Sequence, residues 1–585
     1  MRTFSSFLRV TSVLTLALTA AACGGDDAGS DSGNLEGSVL VEGSPEALGV
    51  LALVNDAKTT LALLREEAKI EVRAATNIVA HRDGADAAAG TADDDSYGTV
   101  KELDDIKYVG PATLQRLLDY AKDQGWVKDG GTPSMDVIFS PQAFDQSHLA
   151  RVAKVIDTAT KSIDIAMYSF SDSGISAALD RAVKRGVDVR FLFETAGADK
   201  KLTGSALEAS KSGKLEKIGV DVRWVNKIMH HKFMLVDGPR DEASTAATAQ
   251  LVSGSGNWSS GAATKYDENT IFMSGQPELA LRIQREFNLL WEHSGDLAAN
   301  ASLTQELSTL TITDELVTDE PDVHVYFTSA NFSVKNTTFS VLGSNEVADQ
   351  WVAAIQGAKK SIHIASGHLR SRPIAEALMA KMAASPEVDV KVYLDGQEYI
   401  SDFANQDQES ELETCLAAAG TSESKKRSCL DKGFLFGLEV GQAGADVRYK
   451  YYAYRWDTSY AAQMHHKYVA IDGEKLLSGS YNLSDNAEHN TFENMFVFEG
   501  ERHAALVEAF EANFAKMWET GRAEGLLADL TATVQNEATI PIVFPSMALT
   551  WPEVTTLKQL IRSECPDVDS TEFRQDAAAH QTCTK

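Results

Sequence analysis

At 585 residues, 44% of them apolar, the chain exceeds one ordinary domain and has material for sizeable cores. Its 84 acidic residues against 54 basic ones give a formal net charge of −30. That balance argues against broad nucleic-acid binding, because phosphate affinity needs basic surface, so any phosphate-binding cleft must gather its positive charge locally.

The first 22 residues read as an export signal. Arg2 and Arg9 give a positive start, an apolar run follows from Val10 to Ala22, and small residues precede Cys23. The run is too short to span a bilayer. Ala20-Ala21-Ala22-Cys23 resembles a bacterial lipobox, whose cysteine is lipidated after cleavage. Leucine is usual where Ala20 stands, and cleavage by an ordinary signal peptidase is the other reading. Residues 23–44 include a stretch rich in Gly, Asp and Ser, from Gly24 to Ser38, which predicts a flexible tether. The expected destination is the outer membrane or periplasm as a lipoprotein, or secretion. In an exported chain the other four cysteines suggest two disulfides. Proximity favours Cys415–Cys429 and Cys565–Cys583 among the three pairings, with buried free thiols as the alternative. No pair has the short C-x-x-C spacing of a zinc site.

Residues 45–130 form a small all-α module by pattern. The segment from Val72 to Arg82 predicts an amphipathic helix, and a second begins near Pro111, which suits a first helical turn. Gly110-Pro111-Ala112 before this helix resembles a helix-hairpin-helix module, which in other proteins grips DNA backbone through loop amides. Asp104, Asp105 and the acidic loop from Asp83 to Asp95 oppose phosphate binding here. That loop reads as solvated, with calcium binding as the alternative.

From residue 135 the sequence repeats itself. The run Lys161-Ser162-Ile163-Asp164-Ile165-Ala166 is echoed by Lys360-Ser361-Ile362-His363-Ile364-Ala365, and each is followed by a helical pattern and a further strand. These are two parallel βαβ units, in lobes spanning residues 135–300 and 320–525. The echo continues: Met229-His230-His231-Lys232 and Asp237 match Met464-His465-His466-Lys467 and Asp472. Gly254-Ser255-Gly256-Asn257 and Glu268-Asn269 recur 225 positions later as Gly479-Ser480-Tyr481-Asn482 and Glu493-Asn494. The first copy carries extra residues around Pro239 to Gln250, expected to be a surface loop. On a strand, His230 and Lys232 share a face while His231 points away, and Asp237, of opposite parity at the strand end, should support the site. Adjacent His230-His231 or His465-His466 therefore make poor metal ligands.

The pattern H-x-K, four residues, Asp, then G-S-x-N, present twice, resembles the signature of the phospholipase D superfamily over roughly residues 135–520. The resemblance implies an α/β fold of two lobes, mixed sheets flanked by helices, related by a pseudo-twofold with one site between them. It implies a catalytic set of His230, Lys232, Asp237, Asn257 and Glu268 with His465, Lys467, Asp472, Asn482 and Glu493. By family analogy His230 is the nucleophile forming a phosphohistidine and His465 the general acid, although the symmetry of the motifs leaves that order open. The lysines and asparagines hold the non-bridging oxygens, Ser255 and Ser480 add hydroxyl donors to the phosphate, and the glutamates fix the histidine tautomers. No metal and no cofactor are expected.

The second half has a longer segment before its motif, containing Cys415, Cys429 and the aromatic group Tyr449, Tyr451, Tyr452, Tyr454 and Trp456. That group predicts either a substrate entrance at a lipid interface or a packed core edge. Residues 526–585 read as a tail without recognisable chemistry. The expected function is hydrolysis of phospholipid head groups, with transfer to another alcohol as an extension, by a monomer working at a membrane surface. The alternatives are an exported endonuclease of the same superfamily, a lipid synthase joining two phospholipids, and a binding protein that keeps the motifs without turnover.

Overall fold

The computed structural model describes Leu40 and residues 45–89, 91, 93–127, 133–298, 300, 303, 307–317, 320–454, 460–536 and 542–564. The expected leader and tether, Cys23, Trp456, Cys565 and Cys583 lie outside the described residues.

Two eight-stranded mixed sheets carry the fold. The first runs, edge to edge, Ser134–Ser140, Glu268–Ser274, Gln250–Gly254, Lys232–Val236, Ser162–Met167, Asp188–Phe193, Asp221–Trp224 and Gly295–Asp296. The second repeats that order with Val323–Phe327, Asn494–Glu499, Lys475–Gly479, Lys467–Ile471, Ser361–Ser366, Asp389–Asp395, Asp446–Ala453 and Val543–Thr550. In each, the two strands of the echoed βαβ unit pair in parallel, with Ile163 opposite Val189 and Ile362 opposite Val390. Ser162–Met167 is buried along its whole length, as a strand covered on both faces should be. The last strand of the second sheet comes from beyond residue 525, so the segment expected as a tail completes the lobe: Leu549 and Met547 pair with Tyr449 and Tyr451. This explains the aromatic group. Tyr449, Tyr451, Tyr452 and Tyr454 are all buried, and for these four the core-edge reading holds while the lipid-entrance reading does not.

The N-terminal module comprises helices Pro45–Asn55, Leu61–Glu66, Val72–Arg82, Val100–Asp104 and Pro111–Asp123. Side-chain caps start several of them, with Thr60 accepting from Leu63 N, Glu71 from Arg73 N and Thr99 from Glu102 N. The first helix packs on the short turn Ala243–Ala247 of the first lobe, where Ala246, Ala247 and Ala249 are buried. The extra residues expected as a surface loop are therefore a docking platform, made of alanines small enough for close helix approach. In the second lobe, helices Asp402–Ala419 and Glu423–Leu430 are joined by a Cys415–Cys429 disulfide.

Asp237 and Asp472 do structural work at equivalent corners. Asp237, at φ +50°, accepts from the backbone N–H groups of Thr160, Lys161 and Ser162 and from the Thr160 hydroxyl. Asp472, at φ +58°, accepts from Lys359, Lys360 and Ser361. Each carboxylate thus ties the strand after the H-x-K motif to the start of the neighbouring strand. Placing these two among the catalytic residues is corrected by this geometry, since their oxygens are spent on backbone. Replacing Asp472 with alanine should cost about 1–3 kcal/mol in urea unfolding while leaving the His465–Glu268 pair in place.

Candidate active site

The two lobes meet along the strands that carry the repeated motifs. Short parallel segments bridge them, with Ile228 and Met229 beside Thr491 and Phe492, and Asp267 beside Met464. These bridges bring His230 and His465 to the seam: His230 N donates to Phe492 O at 3.2 Å and His465 N to Asp267 O at 3.0 Å. Glu194 and Asp395, at equivalent strand ends, accept from Met229 N and Met464 N and fix the approach of each motif.

The first histidine of each motif is bound by a carboxylate of the other lobe. His230 Nδ1 lies 2.7 Å from Glu493 Oε1, and His465 Nδ1 lies 2.8 Å from Glu268 Oε1. Beside them, Lys232 Nζ donates to His230 O at 2.8 Å and Lys467 Nζ to His465 O at 2.6 Å. Each ammonium also sits close to its neighbour's Nδ1, at 3.3 and 3.1 Å. With Nδ1 engaged, Nε2 is the ring atom each histidine has left for chemistry. Tyr168 packs edge-on against His230 at 4.6 Å, with Lys232 over its ring.

The glycines of the G-S-x-N motifs make this approach feasible. A Cβ on Gly254 would sit 2.3 Å from Asn269 O, and one on Gly479 would sit 2.2 Å from Asn494 O. The serines that follow serve the glutamate strands. Ser480 Oγ donates to Glu493 Oε2 at 2.6 Å and accepts from Asn494 N, while Ser255 Oγ accepts from Asn269 N at 3.0 Å. The expectation that Ser255 and Ser480 offer hydroxyls to a phosphate is corrected accordingly, because both are buried and already engaged. Asn257 and Asn482 each keep a buried Oδ1 without a hydrogen-bond partner among the described residues.

The seam has a second layer that the sequence reading passed over. His231 Nδ1 is 3.2 Å from Asn494 Oδ1, and His466 Nδ1 is 3.1 Å from Asn269 Nδ2. Strand alternation turns Glu493 toward one histidine of the first lobe and Asn494 toward the next, and Glu268-Asn269 does the same for the second lobe. His231 is backed by Glu286, whereas His466 is backed by Asn513. The repeated Glu-Asn pair was the signal for this layer, and only its glutamate had been given a role.

Burial sets the electrostatics. His230 and His465 lie well below the ordinary imidazole value, first through burial and then through Lys232 and Lys467. Burial also pulls Lys232 down to about 7 and Lys467 down to about 8, and pushes Glu268 and Glu493 up to about 7. The exchanged contacts of His230 with Glu493 and of His465 with Glu268 join the halves into one site. Neutral imidazoles beside ammonium groups are suited to attack and proton transfer at an anionic phosphodiester. The ring resonances of His230 and His465 should titrate below 6.5 by NMR, and Lys232→Met should raise the His230 midpoint. A midpoint at or above 6.5 in the unmodified protein contradicts this electrostatic account.

Comparison with known proteins agrees with this geometry. The family model described as "Cardiolipin synthase, PLD-like domain" matches residues 152–291 and 351–518, which is one match per lobe. A mitochondrial cardiolipin hydrolase from Danio rerio is 36% identical over 152 residues, covering 26% of this chain and 59% of that protein. A phospholipase D from Rickettsia conorii is 33% identical over 131 residues, covering 22% of this chain and 56% of that protein. The chain spans 52% to 59% of the length of these and similar curated relatives. Among solved structures, the phospholipase D family member Nuc from Salmonella typhimurium is 31% identical, with TM-score 0.23, covering 28% of this chain and 97% of that one. With two matched lobes and two complete H-x-K motifs meeting at one seam, the chain belongs to the phospholipase D superfamily.

Proposed function

We propose that the chain is a metal-independent phosphodiesterase that hydrolyses phospholipid head groups. The observation that carries this reading is the pair of exchanged His–Glu contacts, each with a lysine beside it. His230 Nε2 attacks phosphorus and the bond to the departing alkoxide breaks; His465 enters as the imidazolium, which the bound phosphodiester anion favours, and gives its Nε2 proton to the alkoxide. His465 then takes a proton from water, the resulting hydroxide displaces His230, and the phosphorus–nitrogen bond breaks. An alcohol in place of water gives head-group transfer. Lys232 and Lys467, with the amides of Asn257 and Asn482, neutralise the growing charge on the non-bridging oxygens. Glu493 keeps the His230 proton on Nδ1 and leaves its Nε2 free to attack, while Glu268 holds His465 Nδ1–H so that its Nε2 gives a proton in the first step and takes one in the second, the orienting role of the third member of a catalytic triad.

The lipid substrate is supported by the names of the relatives, cardiolipin hydrolase and phospholipase D, and by a net charge unsuited to polynucleotide. Export through the leader, with Cys23 as an anchor, completes the proposal by placing a monomer beside its substrate. Among the described residues no helix is long and apolar enough to cross a membrane.

The test is phosphodiesterase activity of purified protein in EDTA on phosphatidylcholine vesicles, cardiolipin vesicles and single-stranded DNA. Head-group release from lipid alone is expected, and His465→Ala should reduce it on the order of 10²–10⁴-fold. DNA cleavage alone moves the assignment to an endonuclease. Binding to vesicles without turnover, unchanged by His230→Ala, makes the chain a binding protein. In the active case kcat/KM should fall as pH rises through about 7 to 8, where Lys232 and Lys467 lose their charge. The acid limb should lie below 6.5, because the nucleophile His230 resists protonation.

A further inference from the structure

At the far edge of the first sheet, three carboxylates converge away from the histidines. Glu216 lies on helix Lys211–Lys217, Asp221 opens strand Asp221–Trp224, and Asp296 ends strand Gly295–Asp296. One oxygen from each falls within 4.8 Å of the others. Glu216 is 1% exposed and Asp221 5%, while Asp296 reaches solvent.

Asp221 makes the cluster unusual. Its Oδ2 is buried with no hydrogen-bond partner among the described residues, and Arg223 Nε is 3.9 Å from Oδ1, beyond hydrogen-bond reach. Arg223 donates through Nη1 to Trp291 O at 3.1 Å and its guanidinium lies over the Trp291 ring, so it offers Asp221 a charge at 3.9 Å and no hydrogen bond. Arg190, on the neighbouring strand, is bound to Asp164. Burying a carboxylate in this way is costly unless a proton or a cation neutralises it. The surrounding chain holds the other two acids in place. Asn300 N donates to Glu216 Oε2 at 2.6 Å, and Ala298 N donates to Asp296 Oδ1 at 2.9 Å.

We propose that Glu216, Asp221 and Asp296 bind a calcium ion that clamps the exit strand of the first lobe to its sheet. The donors are all carboxylate oxygen, which selects a hard cation over zinc. Calcium accepts an irregular oxygen shell where magnesium demands a near-ideal octahedron, so three carboxylates carried by separate elements suit calcium better. Water fills the remaining positions on the side of Asp296. The ion joins the helix before the strand, the strand itself and the segment leaving the lobe, so its effect falls on stability. The inference is independent of the phosphodiesterase reading.

The test uses the full chain, stripped with EDTA and returned to chelator-free buffer. Calcium titration by calorimetry and thermal unfolding with and without calcium are then compared for the unmodified protein, Asp221→Asn and Asp296→Asn. One saturable calcium site that raises Tm by several degrees is expected. Asp221→Asn should abolish that site, and Asp296→Asn should weaken it by about 10-fold or more. Without calcium, Asp221→Asn should still unfold in one cooperative transition. That result also shows the variant to be folded. No calcium binding by the unmodified protein, or binding that survives Asp221→Asn, overturns the proposal, as does a response to magnesium without one to calcium.

Discussion

The structure turns on an exchange: the carboxylate that orients each catalytic imidazole comes from the other half of the chain. Neither lobe holds a finished histidine by itself. A glutamate at the start of the strand after G-S-x-N must cross the seam, and the missing Cβ of Gly254 and Gly479 lets that strand run close enough. The bridging segments, the buried serines behind the glutamates and the Asn–His layer beneath them all serve this crossing.

The exchange also explains how so many charged groups are tolerated away from water. Two lysines, two glutamates and two histidines share a small buried volume, and alone each would face a desolvation cost of several kcal/mol. Placed together, the signs alternate and every group has a partner at hydrogen-bond distance. The chain as a whole carries a formal net charge of −30, so the lysines of the seam stand out against an acidic background.

Much of this was legible in the sequence, for definite reasons. Strand periodicity put His230 and Lys232 on one face and His231 on the other, and the near-constant offset between copies made the pairing of halves evident. The helix Val72–Arg82 and the strand Ser162–Met167 followed from local pattern alone. What escaped was tertiary. Nothing local to Ser480 reveals that Glu493 takes its hydroxyl, and nothing in the tyrosines near residue 450 announces that Val543–Thr550 will cover them. The alanine-rich turn at Ala243–Ala247 looks like a loop until the N-terminal helix is set against it. Asp237 was placed correctly as a support but grouped with the chemistry, because motif membership carries no information on which members touch substrate.

The contrast between His231 on Glu286 and His466 on Asn513 has a historical reading. Two halves that complete one another by the same contact in both directions are what a symmetric pair of identical chains becomes when joined end to end. Before joining, any substitution would appear on both sides at once. After joining, each copy drifts by itself, and drift is visible wherever the seam does not forbid it: the docking turn in one copy, the disulfide-linked helices in the other, and a different partner behind each second histidine. The groups that must still answer to the opposite half have stayed alike, so the molecule records its ancestry most faithfully where its two parts cannot do without each other.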